Sequence, residues 1–173
     1  MTNFLRRLKN KEAWADLLDS PLWDNGDCPP ALLSHIFDNR DGVSVFRIGP
    51  EVDILTVAVA VEFQRTKIGD FAYTLIPESI LKHFDIKQKT TSGETFDKEV
   101  NKLHVDLYNI TGKALIGLAK SLRDSAEFHV IARRDIVKAA AERFNDGRMN
   151  RSELAKKNAN AIADLWRTGD IHL

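Results

Sequence analysis

Apolar residues recur along this chain in two rhythms, three-four and alternating, and the rhythm predicts where helices give way to strands. Phe4, Leu5, Leu8, Ala15 and Leu18 fit an amphipathic helix over residues 3–19, ended by Ser20-Pro21. Residues 22–30 form a turn-rich loop, because Asn25-Gly26 and Pro29-Pro30 both resist regular structure. Pro30 suits the first turn of a short helix carrying Leu32, Leu33, Ile36 and Phe37. Residues 43–48 then read as a strand, 49–51 as a turn, and 52–64 as a long second strand. In that stretch Leu55, Val57, Val59, Val61 and Phe63 fall on one face, and Thr56, Ala58, Ala60 and Glu62 on the other. A third strand is predicted over 71–76, and Pro77 opens a short helix with Ile80, Leu81 and Phe84. Residues 87–95 carry no apolar side chain and predict an exposed loop.

The longest periodic stretch spans residues 97–123. Val100, Leu103, Leu107, Ile110, Ala114, Gly117 and Ser121 recur three and four apart, and Leu115, Leu118 and Leu122 widen the stripe. The spacing predicts one long central helix. Leu103, Val105 and Leu107 also alternate, which makes 103–110 readable as a strand, but the three-four spacing continues on both sides and favours the helix. Its small residues, Gly117 among them, predict a close packing partner, and the small face of 52–64 is a plausible one. A fourth strand follows over 127–133. A helix capped by Asp135 then runs to Phe144, where Asn145-Asp146-Gly147 stops it. Asn150 and Glu153 resemble a capping box that opens a last helix carrying Leu154, Ala155, Ile162, Leu165 and Trp166. The sum is an α+β fold: a three-stranded antiparallel meander plus a fourth strand, packed on one long central helix with flanking helices.

Composition narrows the class of protein. At 173 residues the chain predicts a single domain over 1–173. Lys plus Arg and Asp plus Glu are balanced at 25 each, so no bulk field draws nucleic acid or anionic membrane. The one cysteine, Cys28, excludes an intrachain disulfide and fits a reducing compartment. No apolar run reaches the length of a signal peptide or a membrane span, and Glu12 and Asp16 argue against a transit peptide. A cytoplasmic protein without membrane contact is expected.

Candidate chemistry is sparse. Thr111-Gly112-Lys113 resembles the end of a phosphate-binding loop, but Leu107 and Ala114 stand where that motif needs Gly and Ser or Thr. The five histidines, at 35, 83, 104, 129 and 172, show no metal-ligand spacing. Cys28 lies just before a predicted helix start but has no local histidine partner. Asp24-Asn25-Gly26-Asp27 is too short for a calcium loop. The most basic region is C-terminal, with Arg133, Arg134, Arg148, Arg151, Lys156 and Lys157, and it suits phosphates or an acidic partner. Trp23, in a loop of Asp, Gly and Pro, is a core plug or a contact anchor.

One family resemblance exists. An α-β-β-β-α-β order, with Asp41 before the first predicted strand and Glu62-Phe63-Gln64 at the far end of the second, resembles the core of the PD-(D/E)xK nucleases. The resemblance implies that Asp41 and Glu62 hold Mg²⁺ beside Gln64 and that the substrate is nucleic acid. It departs where the family has lysine, since position 64 is Gln, and no proline precedes Asp41. The sequence therefore points first to an accessory module without cofactor or metal. Such a module would bind a protein partner, with Trp23, Arg133, Arg134 and Arg151 as contact residues. A Mg²⁺-dependent nuclease-like domain using Asp41, Glu62 and Gln64 is the alternative.

Overall fold

The computed structural model describes residues 2–8, 43–65, 67–125 and 128–149. Their elements, in chain order, are β1 (Asn3–Arg7), β2 (Val43–Ile48), α1 (Ile54–Glu62), β3 (Phe71–Pro77), α2 (Glu78–His83) and β4 (Lys87–Thr90). There follow α3 (Lys98–Lys102), β5 (His104–Tyr108), α4 (Gly112–Ser125), β6 (Phe128–Ile131) and α5 (Arg133–Asn145). The content is mixed α and β. The strands form one six-stranded sheet in the order β4-β5-β2-β1-β3-β6. The pairs β1/β2, β1/β3, β2/β5 and β4/β5 are antiparallel.

Two compact units share the chain. The first draws its described residues from Met1–Pro50, Ala72–Ser92 and Leu103–His129, the second from Glu51–Phe71, Gly93–Lys102 and Val130–Leu173. In the first unit Phe4 faces Arg47 on one side and Ile76 on the other, and Leu5 faces Phe46 and Leu75. One sheet face, with Phe4, Val43, Val45, Ile76, Val105 and Leu107, is buried with Leu81 of α2 and Leu118 and Leu122 of α4. In the second unit α1 packs on α5 and α3. Asp53 caps α1, its carboxylate accepting from Leu55 N at 3.0 Å and from the Thr56 hydroxyl at 2.9 Å. Arg143 of α5 donates to the Thr56 hydroxyl and lies 3.6 Å from the Asp53 carboxylate, which fastens α5 to the start of α1. Asp70 does the same from a distance, accepting from Arg133 N at 2.8 Å where α5 has no side-chain cap of its own.

Several expectations change. Residues 3–7 are strand, not the start of a helix. Phe4 and Leu5 are adjacent and both fully buried, which suits a central strand covered on both faces. Residues 52–64 are helix α1 within a loop and turn, not a strand. Val57, Ala58, Val59 and Ala60 are all buried, so the alternation of large and small residues never marked an inside and an outside. With no middle strand there is no meander of β2, 52–64 and β3; β2 and β3 instead flank β1. The single central helix over 97–123 is α3, β5 and α4. Asn109 takes a positive φ of 58°, which breaks the helical path, and Thr111 starts α4 by accepting from Ala114 N at 3.1 Å. The strand reading of 103–110 is the one observed. Residues 87–90, expected in a loop, form the edge strand β4. The strands at 43–48 and 71–77, the helix after Pro77, the strand at 128–131 and the helix ended by Asn145-Asp146-Gly147 agree with expectation. Gly147 has a φ of 76°, the left-handed residue that ends α5. The helices expected over 30–37 and from Asn150 lie outside the described residues.

Candidate functional site

Because 104–108 is a strand, its residues alternate. Val105 and Leu107 enter the core, and His104, Asp106 and Tyr108 share the opposite face. Register supplies their neighbours. Asp106 lies opposite Ser44 of β2 and Lys89 of β4, Tyr108 opposite Lys87, and His104 opposite Phe46. Ser44 Oγ donates to Asp106 Oδ1 at 2.9 Å, and Thr91 Oγ1 donates to Asp106 Oδ2 at 2.9 Å. The same Thr91 oxygen lies 2.8 Å from His104 Nδ1.

That geometry assigns a proton. A threonine hydroxyl has one hydrogen, and an ionised carboxylate can only accept. With that hydrogen on Asp106, Thr91 Oγ1 must accept from Nδ1–H of His104. The imidazole is thereby oriented through Thr91 by Asp106, and Nε2 is left as its other working atom. The ring meets Phe46 edge-on, centroids 5.5 Å apart and planes at 74°. Beyond this cluster Tyr108 stands 44% exposed at the end of β5. The Lys87 ammonium beside it pairs with Asp85 at 2.5 Å, and that hydrogen bond raises the lysine pKa.

Asp106 is the hub, and Asp106→Asn tests it. The amide NH₂ would point donor-to-donor at one of the two hydroxyls. The variant should lose about 1–2 kcal/mol of stability and exchange its β4 amide hydrogens faster than those of β1. Unaltered exchange in β4 would mean that the hydroxyl bonds do not hold the edge strand.

The residues singled out from sequence are dispersed. Trp23, Asp41 and Arg151 lie outside the described residues. Glu62 ends α1 fully buried, with its carboxylate accepting from Arg65 Nη1 at 3.1 and 3.2 Å and from Gly69 N at 3.2 Å. Gln64 lies just past the helix and donates through Nε2 to the Glu94 carbonyl. Arg133 and Arg134 open α5, where exposed Arg134 comes 3.5 Å from Asp135. Thr111-Gly112-Lys113 does begin a helix, with the threonine hydroxyl spent on its own cap. Among the described residues no group of three or more His, Cys, Asp or Glu is placed to hold a metal ion. No helix among them is long and apolar enough to cross a membrane.

His104, Asp106 and Tyr108 went unnoticed as a site because the helical reading of 103–110 scattered them around a cylinder. Period-two alternation was the signal that places them side by side. Comparison of the chain with protein-family models, with curated proteins and with solved structures returned no match.

Proposed function

We propose that the chain is a non-catalytic accessory module that binds a protein partner through the face of β4, β5 and β2 carrying Asp106 and Tyr108. The observation that carries this reading is Tyr108, a large aromatic 44% exposed at the end of a strand and flanked by exposed Lys87 and Lys89. An exposed tyrosine beside a hydrogen-bonded polar cluster is the composition of an interface anchor with its rim. The lysines favour an acidic partner segment. The direction of the Ser44 hydroxyl supports the non-catalytic part: it donates to Asp106, not to His104, so serine and histidine are not joined as nucleophile and base. No described contact favours the nuclease alternative, whose Glu62 is enclosed by Arg65 and Gly69.

The test begins with a photo-crosslinking residue at position 108 in the full chain, to identify the partner. Affinity is then measured for the wild type and for Tyr108→Ala. The substitution should weaken binding by about tenfold or more and leave the thermal midpoint unchanged. Equal affinity of the two proteins for the captured partner would sink the proposal.

A further inference from the structure

On the opposite face of the sheet one residue is out of keeping with its surroundings. Arg6 of β1 lies in the chain between Phe4 and Leu8, both of them core residues, and is paired in register with buried Thr74 of β3. Among the described residues its guanidinium makes one hydrogen bond, from Nη1 to the Ser44 carbonyl at 2.8 Å. Sealed from solvent, its Nε has no partner among the described residues. Burial, with a smaller contribution from the charge of Arg7, pulls the group down to about 10, so it is still a cation at neutral pH. The charge acting on it has the wrong sign to compensate it. Buried cations are ordinarily paired, since an uncompensated one is strongly destabilising.

The bond to Ser44 uses one end of the guanidinium and leaves the other edge, Nε–H with Nη2–H. Those two parallel donors match the two oxygens of a carboxylate. We propose that the Nε–Nη2 edge of Arg6 is a carboxylate-binding site, with Phe4, Leu8 and Ile76 as its apolar surround and Thr74 beside it. A second arginine on this face, Arg47, is engaged with the Phe4 ring, 5.8 Å from its centroid, and with Gln88 at 3.4 Å. A single cation in an apolar surround selects a singly charged, planar anion with an apolar body over a phosphate. The residue as a whole is half-buried, and a carboxylate reaching Nε must displace what covers it. The site lies across the sheet from Tyr108 and does not depend on the partner surface proposed there.

Two sources can supply that carboxylate, a free organic acid or an acidic side chain of the same chain, and one experiment separates them. The Nε–Hε cross-peak of Arg6 is assigned in the full chain by its loss in Arg6→Met, and benzoate is titrated against chloride at equal ionic strength. For a free acid, benzoate should shift the cross-peak saturably and raise the thermal midpoint by several degrees beyond chloride. Arg6→Lys, lacking the fork, should lose about tenfold or more in benzoate affinity. For a side-chain carboxylate, the wild-type cross-peak should already be shifted and protected from exchange. Benzoate would not move it, and Arg6→Met should lower the midpoint. Overturning the site takes a cross-peak that is neither protected nor moved by benzoate, or one that responds equally to chloride. Should Arg6→Met or Arg6→Lys fail to fold, the wild-type titration decides alone, with the cross-peak assigned through its sequential neighbours.

Discussion

Leucine in place of Gly117 is expected to destabilise the first unit by about 2–3 kcal/mol through overpacking. A Cβ built at Gly117 would lie 2.2 Å from Cζ and 2.3 Å from Cε1 of Phe84, well inside contact distance. Phe84 follows α2 and packs against the buried core, and α2 itself contacts α4, so the ring cannot swing away without losing its own contacts. Urea denaturation of wild type, Gly117→Leu, Phe84→Ala and the double variant measures the conflict. Because leucine refills space that alanine vacates, the double variant should be more stable than the sum of the single losses predicts, by about 1 kcal/mol or more. A Gly117→Leu protein with an unchanged midpoint would show that helix and ring part freely. Sequence had already marked Gly117 as a place of close approach. The neighbour it suggested was the 52–64 stretch, whereas the contact is an aromatic ring some thirty positions earlier.

Truncating Glu62 to alanine should cost about 1–3 kcal/mol in the second unit, because the Gly69 amide loses its acceptor and the side chain's space is left empty. The carboxylate is 0% exposed and sits at the C-terminal end of α1, where the helix dipole disfavours negative charge. Arg65 and the Gly69 amide answer that charge and tie the end of α1 to the turn that follows. Arg65→Ala should cost at least as much, because it takes a cation from a fully buried carboxylate, although the arginine side chain is itself 44% exposed. A cycle of the two single variants and the double variant isolates their coupling. A coupling energy near zero would mean that burial of the carboxylate is compensated elsewhere.

Legibility tracked how local the deciding interaction was. The strands at 43–48, 71–77 and 128–131 were visible because turn residues bound short β-branched or aromatic runs. The end of α5 was visible because Gly147 can take the left-handed conformation. The 52–64 stretch was misread because every position from Val57 to Ala60 is buried, and a run without a polar face reports no period. Its local clue was Asp53, which caps the helix through Leu55 and Thr56. In 97–123 the apolar positions of two helices and a strand happen to keep three-four register across Asn109. The candidate site was half legible. Alternation in 104–108 could place His104, Asp106 and Tyr108 together, but Ser44 and Thr91 reach Asp106 from 62 and 15 residues away. No local pattern announces such partners. Arg6 gave no signal at all, since a charged residue among apolar ones looks like a solvent position until both neighbours of its strand are known.

The place of β1 bears on how the chain is made. It comes first in sequence yet lies between β2 and β3, with Asn3 opposite both Ile48 and Pro77. On the ribosome, Phe4 and Leu5 therefore emerge long before their second flanking strand exists. Until Phe71–Pro77 has been synthesised, β1 has native pairing on its β2 side and lacks its β3 partner. Closing so long a loop makes assembly of this sheet slow by topology, whatever the stability of the finished protein.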